Sequence, residues 1–129
     1  MFSQIPGLYL RESPRGGRGV FTSEPIPAKS IIEICPVILL SPTDRERIHA
    51  TRLHDYYFLW GKEGHCAIAL GFGSLYNHSD LPNADFGMDF ERETIEFYAR
   101  RDILVGEEIV VSYTGAVDPR AELWFTPRE

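Results

Sequence analysis

Ala84, Phe86, Met88 and Phe90 alternate with Asp85, Gly87 and Asp89. That period of two predicts a half-buried strand. Beyond a charged turn, Glu91-Arg92-Glu93, the residues Ile95, Phe97 and Ala99 alternate with Thr94, Glu96 and Tyr98, so the pair reads as a hairpin. Leu8-Tyr9-Leu10 and Val20-Phe21-Thr22 predict two short strands joined by the loop Ser13–Gly19. Ile31 to Leu40 is a longer β-rich run in which Pro36 marks an edge or a bulge. Ala67 to Gly71 is a short apolar segment, and Glu107 to Tyr113 a last strand. On that strand Tyr113 shares a face with Ile109 and Val111, which predicts a buried ring. Ser41-Pro42-Thr43-Asp44 reads as a helix start, with Ser41 as cap, Pro42 in the first turn and Asp44 as the capping acid. Few apolar residues follow before about His54, so a short surface helix is expected. The sum is a mostly β domain with one or two short helices.

Composition changes this picture little. The chain has 129 residues, 43% hydrophobic and 25% charged. That is enough for one domain and excludes a disordered chain. No apolar run approaches the ~20 residues that cross a bilayer, so no membrane partner is expected. No secretory signal is expected from Met1-Phe2-Ser3-Gln4-Ile5. The net charge of −6 argues against direct nucleic-acid binding and suits a Lys/Arg-rich protein partner. Cys35 and Cys66 lie in apolar stretches and read as reduced, buried thiols; a disulfide stays open.

Gly16-Gly17-Arg18-Gly19 and Gly71-Phe72-Gly73 both contain G-x-G, but neither continues to the third glycine of a dinucleotide site. The most informative segment is Leu75-Tyr76-Asn77-His78-Ser79-Asp80-Leu81-Pro82-Asn83. Buried Asn and His side chains need hydrogen-bond partners, or each costs ~1–3 kcal/mol. Taken alone, this run is best read as an Asx-rich turn knitting loops together, and Tyr113 as a core tyrosine bonded to a carbonyl. His49, His54 and His65 have no ligand spacing and read as solvated or locally bonded.

Taken together, Gly17-Arg18-Gly19-Val20-Phe21, Tyr76-Asn77-His78-Ser79-x-x-Pro82-Asn83 and Gly106-Glu107-Glu108-Ile109 ending at Ser112-Tyr113 resemble the SET domain of protein-lysine methyltransferases over about residues 8–115. The short chain is most similar to the minimal SET proteins of bacteria and large DNA viruses. The resemblance implies a single SET domain over 1–129 with a tail at 116–129: small curled sheets, and a pseudo-knot between the Asn77–Asn83 segment and the final strand. It implies S-adenosylmethionine as cofactor, held by Gly17, Arg18, Gly19, Asn77, His78 and Tyr113. Trp124, with Phe125 an apolar residue in an otherwise polar tail, is taken as a further cofactor contact stacking on adenine, with cover of the lysine channel or simple docking of the C-terminus as the alternatives. Tyr113 is the implied catalytic residue. The family's usual Tyr-x-Gly motif is not evident, so Tyr56 is taken as the channel aromatic, with Tyr57 its competitor and Tyr76 and Val111 as further channel residues. Asp80 stands where many relatives carry a cysteine, and no cysteine follows Cys66, so no zinc-bound tail is expected. The implied function is S-adenosylmethionine-dependent methylation of a lysine in a histone, histone-like or ribosomal protein. The alternative is a SET-like module that binds peptide or cofactor without turnover. The implied location is the cytoplasm, or a host nucleus for a viral or secreted protein. A homodimer is expected to form, if at all, through a strand edge around Ile31–Leu40.

Overall fold

The computed structural model describes residues 2–61 and 63–113. Its strands are β1 (Ser3–Gln4), β2 (Leu8–Glu12), β3 (Arg18–Thr22), β4 (Ile31–Leu40), β5 (Tyr57–Leu59), β6 (Cys66–Ala69), β7 (Asn77–His78), β8 (Ala84–Asp89), β9 (Thr94–Ala99) and β10 (Glu108–Val111). One sheet runs in the order β5-β6-β4-β9-β8, with β1 also paired to β4. The other runs β2-β3-β10-β7. The fold is mostly β with curled sheets, as the alternating pattern demands.

The period-two hairpin forms as read. Phe86 faces Phe97 and Met88 faces Ile95 across β8 and β9. Ile95, Phe97 and Ala99 are buried while Glu96 and Tyr98 are half-exposed. Phe58, Phe86 and Phe97 meet at ring distances of 5.4 to 6.4 Å and form the aromatic centre of the core. Such tilted contacts add to the free energy of burying the rings.

The helix α1 (Pro42–His49) starts on the expected box: Ser41 Oγ accepts from the Asp44 N–H at 3.1 Å, and Asp44 Oδ2 accepts from the Ser41 N–H. It buries none of its residues. It ends five residues before His54, because Thr51 caps a separate 3₁₀ turn, Arg52–Asp55, by accepting from the Leu53 N–H. Cys35 and Cys66 are free and buried, and burial pushes the Cys66 thiol up to about 11 and that of Cys35 further.

The expectation of a free edge at Ile31–Leu40 is corrected. β4 lies inside its sheet: Ile31–Pro36 pair with β9, Val37–Leu40 with β6, and Ile34 and Glu33 with β1. Pro36 lacks an N–H, but it sits where the strand passes from one partner to the other, so the missing donor costs little.

The last strand is the structural centre of the small sheet. β10 is antiparallel to β3 and parallel to β7, with Val110 beside Asn77 and Val111 beside His78. The 77–83 segment grips it further. Asn83 donates from Nδ2 to the Glu108 carbonyl at 2.8 Å and accepts the Val110 N–H on Oδ1 at 2.9 Å. The Ser79 and Asn83 N–H groups donate to the Val111 and Val110 carbonyls. Asn83 thus performs the knitting role that an Asx-rich turn suggested, on a strand 25 or more residues away in sequence.

Candidate active site

A cleft of about 440 Å³ opens between the glycine loop, the 3₁₀ turn before β5, and the β7–β10 pair. Its lining is Arg15, Gly16, Gly17 and Arg18, then Asp55 and Tyr56, then Asn77, His78 and Tyr113. The volume lies in the range of small-molecule sites.

The loop can make this wall because Gly16 and Gly17 take positive φ, 109° and 61°, which side-chain-bearing residues rarely adopt. The turn closes with the Gly16 N–H on the Ser13 carbonyl and the Ser13 N–H on the Gly17 carbonyl. Gly19 has a different use. It lies in β3 below the loop, and a methyl group there would overlap Glu108 Oε2 and press on Asn77 Nδ2. Gly19 makes room for a buried carboxylate; it is absent from the cleft lining.

That carboxylate organises the floor. Glu108 accepts from Ser13 Oγ at 2.8 Å, Arg15 Nη1 at 2.9 Å and Asn77 Nδ2 at 2.8 Å. Asn77 Nδ2 also donates to the Arg18 carbonyl at 3.2 Å. The loop, the last strand and the Asn-His segment are thereby tied at one point. Charge-assisted bonds of this kind are stronger than neutral ones and compensate the burial of the anion.

Tyr113 is 5% exposed. Its hydroxyl donates to the Tyr76 carbonyl. Its backbone N–H donates to His78 Nδ1 at 3.0 Å. Nδ1 is therefore the acceptor nitrogen of the neutral ring, and Nε2 carries the proton toward Asp80 Oδ1 at 3.1 Å. The two rings lie 5.1 Å apart. Tyr113 and the Asn-His segment thus share one floor.

Across the cleft, Tyr56 caps the 3₁₀ turn and Asp55 precedes it. Asp55 Oδ1 is 3.1 Å from His54 Nε2. Of the two aromatic candidates, Tyr56 faces the cleft. Tyr57 turns away, buried, and its hydroxyl meets His49 Nδ1 at 2.8 Å. His49 and His54 lie 6.0 Å apart, and among the described residues no group of three metal-ligating side chains forms.

The other expected positions distribute unevenly. Gly17, Arg18, Asn77, His78, Tyr113 and Tyr56 come together at the cleft. Trp124 lies outside the described residues. Tyr76 and Val111 do not line this cleft. Val111 is fully buried in the hydrophobic core. The Tyr76 ring packs on Phe97 at 4.5 Å, and its hydroxyl donates to Glu33 at 2.6 Å.

Four residues of the site were given no role from the sequence: Arg15, Gly16, Asp55 and Glu108. The signal for Glu108 was present. It is an acid opening a strand of otherwise apolar residues, a position where a charge survives only with partners.

The described chain therefore carries two curled sheets, the smaller one holding its last strand in a parallel β7–β10 pair, with a glycine loop and a buried tyrosine around one cleft. This is the SET-domain arrangement, and a SET-domain profile matches residues 17–114. The chain belongs to the SET-domain family of protein-lysine methyltransferases. It is 40% identical over 120 residues to a Schizosaccharomyces pombe histone-lysine N-methyltransferase, H3 lysine-37 specific, covering 92% of this chain and 76% of the relative. A Plasmodium falciparum protein assigned as a histone methyltransferase superposes with a TM-score of 0.63 at 33% identity, covering 83% of this chain and 92% of that one. A chain of an apo ctPRC2 complex with mutated Ezh2 shares the fold at a TM-score of 0.71 and 20% identity, over 88% of this chain and 15% of that one.

Proposed function

We propose that this chain transfers a methyl group from S-adenosylmethionine to a lysine of a histone or similarly basic protein, with Tyr113 as the catalytic residue. The observation that carries the reading is the Tyr113 phenol: buried at the floor of the cleft, donating to the Tyr76 carbonyl, one residue from Asn77.

The residues present fit the cofactor. It is a zwitterion attached to a nucleoside, and the cleft offers matching chemistry. Arg15 and Arg18 on the glycine loop suit a carboxylate, and the Asp55 carboxylate suits a hydroxyl or an ammonium. The Asn77 amide suits the polar end, and the Tyr56 and His78 rings suit an apolar or aromatic surface. When bound, the cofactor supplies an electrophilic methyl on a positively charged sulfur.

The work left to the protein is positioning and control of charge. The attacking lysine must be neutral, although its ordinary pKa is ~10.4. A site poor in water disfavours the ammonium and lowers that value. Because the Tyr113 O–H donates its hydrogen bond to the Tyr76 carbonyl, its oxygen lone pairs are directed to other partners. Those lone pairs can hold a polarised methyl and an incoming amine in line, a constraint that accounts for much of a displacement barrier. The chain's net charge of −6 draws a Lys-rich segment toward it.

The test combines calorimetric titration with S-adenosylmethionine and mass spectrometry of core histones after incubation with enzyme and cofactor. Cofactor binding with lysine methylation is expected. Tyr113→Phe is expected to bind cofactor normally and to lose roughly 100-fold or more in turnover. Absence of cofactor binding overturns the proposal, and a fully active Tyr113→Phe removes the phenol from the chemistry. Binding without transfer to any lysine supports the binding-module alternative.

A further inference from the structure

Glu33 lies outside the cleft, in the interior of β4, and is fully buried. Its Oε1 accepts the Tyr76 hydroxyl at 2.6 Å. Its Oε2 accepts from Gln4 Nε2 at 2.8 Å and from the Phe72 N–H at 3.0 Å. All three donors are neutral. A buried carboxylate held by neutral donors alone is costly to maintain, and an apolar residue of similar size would often serve stability as well. Its presence calls for a role beyond packing.

The geometry shows where such a role would act. Tyr76 is held at both ends. Its ring hydroxyl is fixed on Glu33 of the large sheet, and its ring lies against Phe97. Its carbonyl oxygen accepts the Tyr113 phenol on the floor of the cleft. The peptide that presents this carbonyl directly follows the 3₁₀ turn Gly73–Leu75, and the Phe72 N–H on Glu33 belongs to the residue that caps that turn. One carboxylate thus holds both the approach to Tyr76 and its side chain. The next residue, Asn77, is anchored separately, by Glu108 and the Arg18 carbonyl.

We infer that Glu33 is a positioning residue for methyl transfer: through the Tyr76 ring it fixes the carbonyl that sets the reach of the Tyr113 hydroxyl. The inference rests on Tyr113 being the catalytic group. Because Asn77 has its own anchors, loosening Tyr76 moves the phenol while leaving the cofactor contacts in place. That produces a split between turnover and binding which a general loss of stability would not produce.

The experiment compares Tyr76→Phe, Glu33→Gln, Tyr113→Phe and Ile103→Val, using core histones as methyl acceptor and assaying well below each variant's melting temperature. Ile103→Val thins the core at the Ile26–Ile103 bridge, away from the cleft, and serves as the stability control. Tyr76→Phe is expected to keep cofactor affinity within about twofold and to lose about tenfold in kcat. Glu33→Gln keeps the size and an acceptor, and is expected to lose roughly three- to fivefold in kcat. Ile103→Val should lower the melting temperature without changing kcat. Wild-type kcat in Tyr76→Phe, with Tyr113→Phe inactive, overturns the positioning role and leaves the catalytic assignment standing. An active Tyr113→Phe overturns both. A kcat loss in Ile103→Val that matches Tyr76→Phe at equal melting loss also overturns it, because stability alone would then explain the effect. If Tyr76→Phe does not fold, the Glu33→Gln comparison decides by the same split.

Discussion

Two buried carboxylates sit under two consecutive residues. Glu33, from the large sheet, holds Tyr76, and Glu108, from the small sheet, holds Asn77. Each has a glycine packed on its Oε2, Gly71 over Glu33 and Gly19 over Glu108. They differ in their partners. Glu108 is shared with the half-exposed Arg15 guanidinium at the edge of the cleft. Glu33 has a turn N–H, a strand amide and a core phenol, none of them charged. An anion near solvent can use a mobile cation and so tolerates motion of the loop that carries it. An anion sealed in the core depends on donors whose positions are set by rigid elements, so it transmits constraint between them. Burial, reinforced by the neighbouring Glu33 carboxylate, holds the Tyr76 phenol far above its ordinary value, so it stays a donor across the working pH range.

The contrast can be broken at the glycines. Gly71 has φ +66°, and a methyl there would overlap Glu33 Oε2 and the Phe2 ring. Gly71→Ala should cost about 3 kcal/mol in urea denaturation, combining backbone strain with a pinned carboxylate. A loss below about 1 kcal/mol would mean that the sealed site yields as readily as the open one. Gly19→Ala presses on Glu108 and on Asn77 from β3, at ordinary φ. We expect about 1–2 kcal/mol of destabilisation and roughly a tenfold loss of S-adenosylmethionine affinity by calorimetry, because the Asn77 amide must move. Unchanged affinity would detach Glu108 from the cofactor wall.

Glu108→Gln should cost about 1 kcal/mol, a moderate value because Arg15 can find water. Its loss should shrink further at high salt, which the corresponding change at Glu33 should not do. Glu107→Gln is the mildest change. Glu107 is paired with Arg101 at 3.0 Å on the surface, and that bond, with the Leu104 N–H, holds its carboxyl below the ordinary 4.5. A lowered carboxyl stabilises the fold above pH 4.5, and the contribution disappears as the pH falls through the folded value. For so exposed a pair it should amount to roughly 0.5 kcal/mol, and it should diminish as a denaturation series is carried below pH 4.5.

Much of the fold could be read locally. The β8–β9 hairpin followed from strict alternation, and the start of α1 from Ser41 and Asp44, since period and cap act over a few residues. The two-residue β7 has no period to detect, and its parallel partner β10 lies far along the chain, so that pairing was legible through the motif resemblance alone. The same holds for the site. The glycine loop, Asn77, His78 and Tyr113 were found as motif positions. Glu33, Arg15 and Asp55 were not, because a charged side chain gives no sign in sequence of being buried or of facing a cleft. The anchoring of Tyr76 on Glu33 and Phe97 was not legible either, because those partners lie far away in sequence.

The clasp of the 77–83 segment around the last strand has a consequence for how the enzyme comes into being. Both the Glu108 hub and the Tyr113 phenol arrive on residues made after every other described part of the cleft. A nascent chain that has emerged only as far as Gly106 lacks the strand that lies between β3 and β7, so the floor of the cleft can form only after residues 107–113 have been made.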